Sequence, residues 1–208
     1  MPDPTIHAGG GHIAAQVAAC RTGAGLAVCR QAGVFELRGA AADVVFAARS
    51  LARGAAGRGA QGMRGWWQLV SAQQALVALD GDSAALAPRI DALSAWAPDV
   101  AVTTDWSRAA VVLAGPVAER VLAAALPRLP RSRRVVADGH VRVVVVPREH
   151  SASTRDALLA VGRELGAVAV SLEAVQLNGA AERALTRRTT SAASSTGVES
   201  TPTGEPIP

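Results

Sequence analysis

Several groups of residues in this chain are of types that do chemistry. Asp138, His140, His150, Ser151 and Ser153 are the materials of a hydroxyl nucleophile, a general base and an orienting carboxylate. Neither the G-x-S-x-G elbow nor H-E-x-x-H accompanies them. His140 stands at the start of an alternating strand pattern, and Glu149-His150 stands where a helix begins, a place where an acidic residue suits the helix dipole. Structural roles are therefore the favoured reading.

Gly57-Arg58-Gly59-Ala60-Gln61-Gly62 spells the dinucleotide fingerprint, with Asp80 or Asp82 at a plausible distance for a ribose contact. That motif must follow a strand and open a helix, whereas here a helix precedes it, so a loop is the better reading. Arg128, Arg131, Arg133 and Arg134 form one basic cluster, and Arg183, Arg187 and Arg188 form another. Arginine clusters bind phosphate or nucleic acid. With no recognisable reading module and no tyrosine or phenylalanine interleaved for stacking, a solvated loop is favoured and nucleic acid is not the expected partner. Trp66-Trp67 is the more informative pair. Strand alternation sends one indole inward and the other outward, leaving two readings open: core or partner packing, or a platform for a flat ligand.

The two cysteines, Cys20 and Cys29, are too few and wrongly spaced for a zinc site or a C-x-x-C redox pair, so no metal is expected. Ile13, Val17 and Cys20 recur at helical spacing, which makes Cys20 a core residue, and a reducing cytoplasm fits the chain best. All 21 basic residues are arginine. The absence of lysine excludes a Schiff-base lysine, a P-loop lysine and a lysine general base. The formal charge of +4 and pI near 10.7 would suit an acidic partner, although arginine in place of lysine itself raises the pI. Half the 208 residues are apolar, but the runs are short of the roughly 20 residues that span a bilayer, so no membrane association is expected. Met1 to Gly11 carries neither the basic start nor the apolar core of a signal peptide.

The elements that must position these residues follow from periodicity. His12 to Arg21 reads as a helix, Gly33 to Gly39 as a strand, and Ala41 to Arg53 as a helix. After a loop from Gly54 to Gly65, Trp66 to Val70 and Ala75 to Asp80 read as paired strands turning at Ser71 to Gln74, with a helix as the alternative reading. Ser83 to Trp96 is helical and Val100 to Thr104 extended. Strand, helix, strand, strand, helix, strand is the order of a ferredoxin-like unit. The theme repeats with strand Ala109–Leu113, helix Pro116–Leu126, strand Val141–Val146 and helix Ser153–Leu165. A last amphipathic segment runs from about Leu172 to Leu185. Gly115 permits a sharp turn, and Pro116 suits a first helical position. From Thr189 onward almost nothing is apolar enough to offset the entropy of ordering. The expected organisation is a flexible segment over 1–11, an α+β domain over 12–188 with lobes of about 12–105 and 106–188, and a disordered tail over 189–208.

Three blocks carry a family resemblance. Ala19-Cys20-Arg21-Thr22-Gly23-Ala24-Gly25-Leu26, followed by Gly33 to Gly39, resembles "A-x-R-x-x-A-G-L … G-x-F-x-x-x-G". Asp105 to Leu122 is similar to "D-x-S … L-x-G-P-x-A-x-x-V-L". Val146 to His150, Leu158 to Gly166 and Leu172 to Asn178 resemble "V-P-x-E-x-A … L-L-x-x-G … G-x-x-A-L-x-x-L-R-I-E". In this order they resemble the folate-binding aminomethyltransferase family of the glycine cleavage T-protein, and in size the chain is similar to the gamma subunit of heterotetrameric sarcosine oxidase. The resemblance implies an aminomethyltransferase-like α+β fold of two ferredoxin-like lobes, with antiparallel or mixed sheets. It further implies tetrahydrofolate as ligand and one-carbon transfer. Pocket candidates are Trp66, Trp67 and Gln176, the last standing at the family's late arginine position. The family's paired acidic "G-G-x-x-D-D", its "G-Y-T-G-E" glutamate and its "K-G-C-Y-x-G-Q-E" cysteine motif have no counterparts here, so no catalytic residue is assigned. The sequence thus points to a folate-type ligand-binding domain of one-carbon metabolism without the catalytic acids. The alternative is a non-catalytic accessory subunit packed on an oxidase or dehydrogenase.

Overall fold

The computed structural model describes residues 10–53, 65–81 and 83–179. The first half runs α1 (Gly10–Thr22), β1 (Ala24–Cys29), β2 (Ala32–Arg38), α2 (Ala41–Arg53), β3 (Gly65–Ser71), β4 (Gln74–Asp80), α3 (Ser83–Trp96) and β5 (Ala101–Asp105). The second half runs β6 (Arg108–Ala114), α4 (Ala118–Ala125), β7 (Arg134–Asp138), β8 (Val141–Pro147), α5 (Ser151–Gly162) and β9 (Ala167–Ala169), with further helical residues at 172–179.

The layering follows from side chains that alternate along each strand. In β2, Phe35 and Leu37 join Val44, Ala48 and Leu51 of α2 in one buried cluster. Val34 faces the other way, into a layer shared with Val112 of β6 and Val143 and Val145 of β8. In β6 the alternation runs likewise, Val111 and Leu113 packing on Val121 and Leu122 of α4 and Leu158 of α5. The order is therefore helices, sheet, sheet, helices. Strands covered on both faces read as near-continuous apolar runs, which is why Ala109–Ala114 and Val143–Val146 carry no charge. The layer between the sheets holds many small side chains, among them Ala27, Ala32, Ala78, Ala110 and Ala114, alongside Trp66 and Leu76. The bulkier Phe35, Leu37, Leu79 and Leu113, all fully buried, face the helices, and each such residue contributes about 1.5–3 kcal/mol.

The four-stranded sheet has the order β3-β4-β2-β5 and is antiparallel throughout, the arrangement of a ferredoxin-like lobe. The five-stranded sheet, β7-β8-β6-β1-β9, repeats that plan with one change: β1 inserts between β6 and β9, antiparallel to the first and parallel to the second. The fold is thus α+β, with one antiparallel and one mixed sheet. The sheets are also tied at one edge, where the Ala137 N–H donates to Gln68 Oε1 at 2.7 Å and Arg134 pairs with Glu36.

Three strands escaped the periodicity. β1 and β9 are short and rich in small residues, and β7 lies inside what reads as a basic loop, so Arg134 begins a strand instead of belonging to that loop. Pro116 is also displaced from its expected place. The helix starts at Ala118, and Pro116 occupies the preceding turn closed by Ala118 N–H to Gly115 O at 3.1 Å, where its fixed φ is equally suited. Gly115 itself sits at φ +134°, and a Cβ there would strike the carbonyl oxygens of Cys20 and Gly23.

Candidate functional site

Topology gathers three connections at one end of the five-stranded sheet. Arg108, the first residue of β6, is paired with Pro147, the last of β8, and Arg134, the first of β7, with Val145. The crossover from β5 to β6, the connection from α4 to β7 and the connection from β8 to α5 therefore emerge side by side.

The crossover is a polar knot. Asp105 Oδ1 accepts from the Ser107 N–H at 2.9 Å and from its hydroxyl at 2.6 Å, and Oδ2 accepts from Arg108 Nε at 2.8 Å. Hydrogen bonds from Arg108, then Ser107, hold the Asp105 carboxyl down at about 2, against the weaker opposing effect of burial. Asp105 is thus a fixed anion rather than a proton carrier. Trp106 meets Phe35 edge to face, with ring centroids 5.6 Å apart, which seats the crossover on the core.

The same knot fixes two neighbouring walls. Arg108 Nη1 donates to Ser132 O at 3.3 Å, in the connection before β7. Arg148, just before α5, donates from Nη2 to Trp106 O at 2.8 Å and from its backbone N–H to Ser107 O at 3.0 Å. Between these walls lies an open groove of about 590 Å³, lined by Arg128, Leu129, Pro130, Arg131, Ser132, His150, Ser153 and Thr154. Arg133, which is not among the lining residues, donates to the carbonyls of Leu129 and Pro130 at 3.4 and 3.1 Å. Arg128 and Arg131 are exposed and have no ion-pair partner among the described residues. Thr154 is 1% exposed, and its Oγ1 has no hydrogen-bond partner among the described residues.

The structure redistributes the residues that the sequence singled out. Asp138 and His140 sit at the far end of β8 from His150, Ser151 and Ser153, about 20 Å away at ~3.4 Å per residue, so no triad assembles. The hydroxyls of Ser151 and Ser153 donate to the carbonyls of Arg148 and His150, at 2.9 and 3.1 Å, as helix-start contacts. Asp80 accepts from the Cys29 thiol at 2.9 Å, and burial, with the Asp80 contact, pushes that thiol up. Cys20 is fully buried, as its helical spacing predicts.

Trp66 is 6% exposed within the layer between the sheets, whereas Trp67 is half-buried on the helix side with the Arg49 guanidinium 5.8 Å from its ring centroid. The two indoles lie on opposite faces and share no single surface. Gln176 is half-buried in the helical stretch 172–179, beside Val175 of the layer that also holds Trp66. The glycine string Gly57–Gly62, Asp82, the cluster Arg183, Arg187 and Arg188, the residues beyond 179 and the tail from Thr189 lie outside the described residues.

The grouping of Arg128 and Arg131 with His150 and Ser153 is the feature sequence reasoning missed. The two sets looked like separate constellations. The repeated ferredoxin order was the available signal, because it sends the α4–β7 and β8–α5 connections to the same end of the sheet. Thr154, a helix-start threonine at a core spacing with Leu158, carried no signal of its own. Among the described residues no three of His, Cys, Asp and Glu come together to hold a metal, and no helix is long and apolar enough to cross a membrane.

No family model matches this chain, and no curated protein sequence does. Solved structures do. The aminomethyltransferase T of the Bartonella henselae glycine cleavage system superimposes with a TM-score of 0.51 and 15% identity, over 78% of this chain and 52% of that one. The chain thus spans about half the length of that enzyme and shares its fold. The regulatory subunit of Thermus thermophilus aspartate kinase gives a TM-score of 0.44 at 12% identity, over 68% of this chain and 99% of that one. A chain of heterotetrameric sarcosine oxidase from Corynebacterium sp. U-96 gives 0.40 at 17% identity, over 76% of this chain and 94% of that one.

Proposed function

We propose that this chain is a folate-type ligand-binding domain of one-carbon metabolism, built on the aminomethyltransferase fold and lacking that family's catalytic acids. The observation that supports it is an agreement between two likenesses. Ordered motifs from Ala19 to Asn178 resemble the aminomethyltransferase family, and the backbone shares the fold of an aminomethyltransferase over 78% of the chain. Shared fold does not carry shared chemistry, and the local geometry favours binding over turnover. Asp105, the acid of the best-matched block, is engaged by three donors and held in its charged form, a poor state for general acid work. Of the pocket candidates, Trp67 is half-buried on the helix side of its sheet and Gln176 half-buried in the helical stretch 172–179, whereas Trp66 is packed between the sheets.

Calorimetric titration with tetrahydrofolate tests this reading. Saturable heat is expected, with weaker binding in Trp67→Ala or Gln176→Ala variants whose melting is otherwise normal. No heat at millimolar ligand would sink it.

A second reading is an accessory subunit of an oxidase or dehydrogenase. One observation favours it: Phe46, Leu69, Val70 and Trp96, all on α2, β3 and α3, are 41–60% exposed. Large apolar side chains left in water, Val168 and Leu177 among them, suit a covered surface. Co-purification of a stable partner from the native host, lost on Phe46→Glu, is the outcome this reading requires.

A further inference from the structure

We infer that the groove between residues 128–132 and the start of α5 binds the phosphoryl group of a small phosphorylated molecule. Three features converge on it independently of the folate reading.

The first is charge. The eight lining residues include two arginines and no carboxylate. Elsewhere Arg134, Arg142 and Arg155 are paired with Glu36, Glu119 and Asp156, and Arg133 is spent on carbonyls. Arg128 and Arg131 are exposed, with no ion-pair partner among the described residues. Two guanidinium groups match a phosphate monoester, which carries about −1.5 to −2 near neutral pH. Glu149, the nearest acid in sequence, is exposed and is not among the lining residues.

The second is the helix. α5 runs twelve residues from Ser151, and its cap residue His150 makes no side-chain capping bond. His150 thus offers the first turn of α5 no side-chain acceptor, and the helix dipole favours an anion there beside the exposed Glu149. The third is Thr154. A buried hydroxyl without a partner is costly to leave unpaired, and this one belongs to a residue that lines the groove. A phosphoryl oxygen entering with modest side-chain adjustment would supply its missing partner. Ser132 and Ser153 stand beside it as further hydroxyls, and the volume of about 590 Å³ is within the range of small-molecule sites.

The test uses the full chain and inorganic pyrophosphate at low ionic strength, followed by calorimetry. Saturable binding is expected, weakened at least about tenfold in the Arg128→Gln/Arg131→Gln double variant, the loss of one charge-assisted contact. Thr154→Val should also weaken binding several-fold while raising the melting temperature, because it removes an unpaired hydroxyl without changing side-chain volume. A merely structural threonine would leave binding unchanged. Arg120→Gln, on the exposed side of α4, removes one positive charge elsewhere and should leave binding intact. The inference is overturned by absent binding, by equal binding in the double variant, or by an equal effect of Arg120→Gln. It is also overturned if citrate binds as well as pyrophosphate, or if an oligonucleotide without terminal phosphates binds and pyrophosphate fails to displace it.

Discussion

Replacing Asp105 by asparagine keeps the shape of the crossover and removes its charge. The native carboxylate takes three hydrogen bonds, two from Ser107 and one from Arg108. Asparagine retains one acceptor for Ser107 but turns an N–H₂ toward the Arg108 Nε–H, setting donor against donor. The carboxyl is lowered from 3.8 to about 2. At ~1.36 kcal/mol per pH unit, a shift of nearly two units has a ceiling of ~2.5 kcal/mol. The Asp105 side chain is 40% exposed, and solvent screening reduces that to ~1 kcal/mol.

The sign follows from the direction of the shift. A carboxyl lowered in the folded state stabilises fully above its unfolded value of 3.8, and the contribution is lost as pH falls through about 2. Asp105→Asn should therefore lower the melting temperature at neutral pH by ~2–4 °C. It should also remove that part of the acid destabilisation of the native chain that falls between these two pH values. Thermal denaturation followed by circular dichroism, from neutral pH into acid, measures both. If the variant melts with the wild type at neutral pH, or loses stability in acid along the same curve, the crossover is not the electrostatic knot described above.

Gly115→Ala places a Cβ against two backbone carbonyls at φ +134°; a loss of at least ~3 kcal/mol is expected from strain and overpacking together, read as a lowered urea midpoint. Cys20 and Cys29 are 0% and 2% exposed, and the Cys29 thiol is pushed up by burial and by Asp80. Both should resist iodoacetamide in native, mildly alkaline buffer and react fully once denaturant is added, as mass spectrometry would show; rapid native alkylation of Cys29 would contradict its donated bond to Asp80.

Helix and strand were legible where one periodicity ran unopposed. Ala41–Arg53 and Ser83–Trp96 were bounded correctly from sequence, since Val44, Ala48 and Leu51 fall on one helical face and Leu86 and Leu93 on another. Ala24–Cys29 and Ala167–Ala169 were not, because glycine and alanine give weak strand signals and β1 owes its pairing to β6, more than 80 residues away in sequence. Arg134–Asp138 was hidden by its neighbours' charges, although Val136 is fully buried. For the candidate sites the same division holds. Arginine, histidine and serine were recognised by type, but their grouping depends on which strand ends lie side by side, and a linear pattern does not contain that distance.

Taken alone, the sequence determined the strand alternation that sets Phe35 and Leu37 on one face of β2, the ferredoxin-like order of elements, the absence of lysine chemistry and the core role of Cys20. These are local properties, written in residue type and spacing along the chain. Tertiary structure decided the rest. It inserted β1 between β6 and β9, put Trp66 and Trp67 on opposite sides of one sheet, and separated His140 from His150 by the length of β8. It also brought Arg128 and Arg131 to the start of α5. Each of these depends on contacts between residues far apart in the chain, whose pairing is fixed by burial of both sheets together.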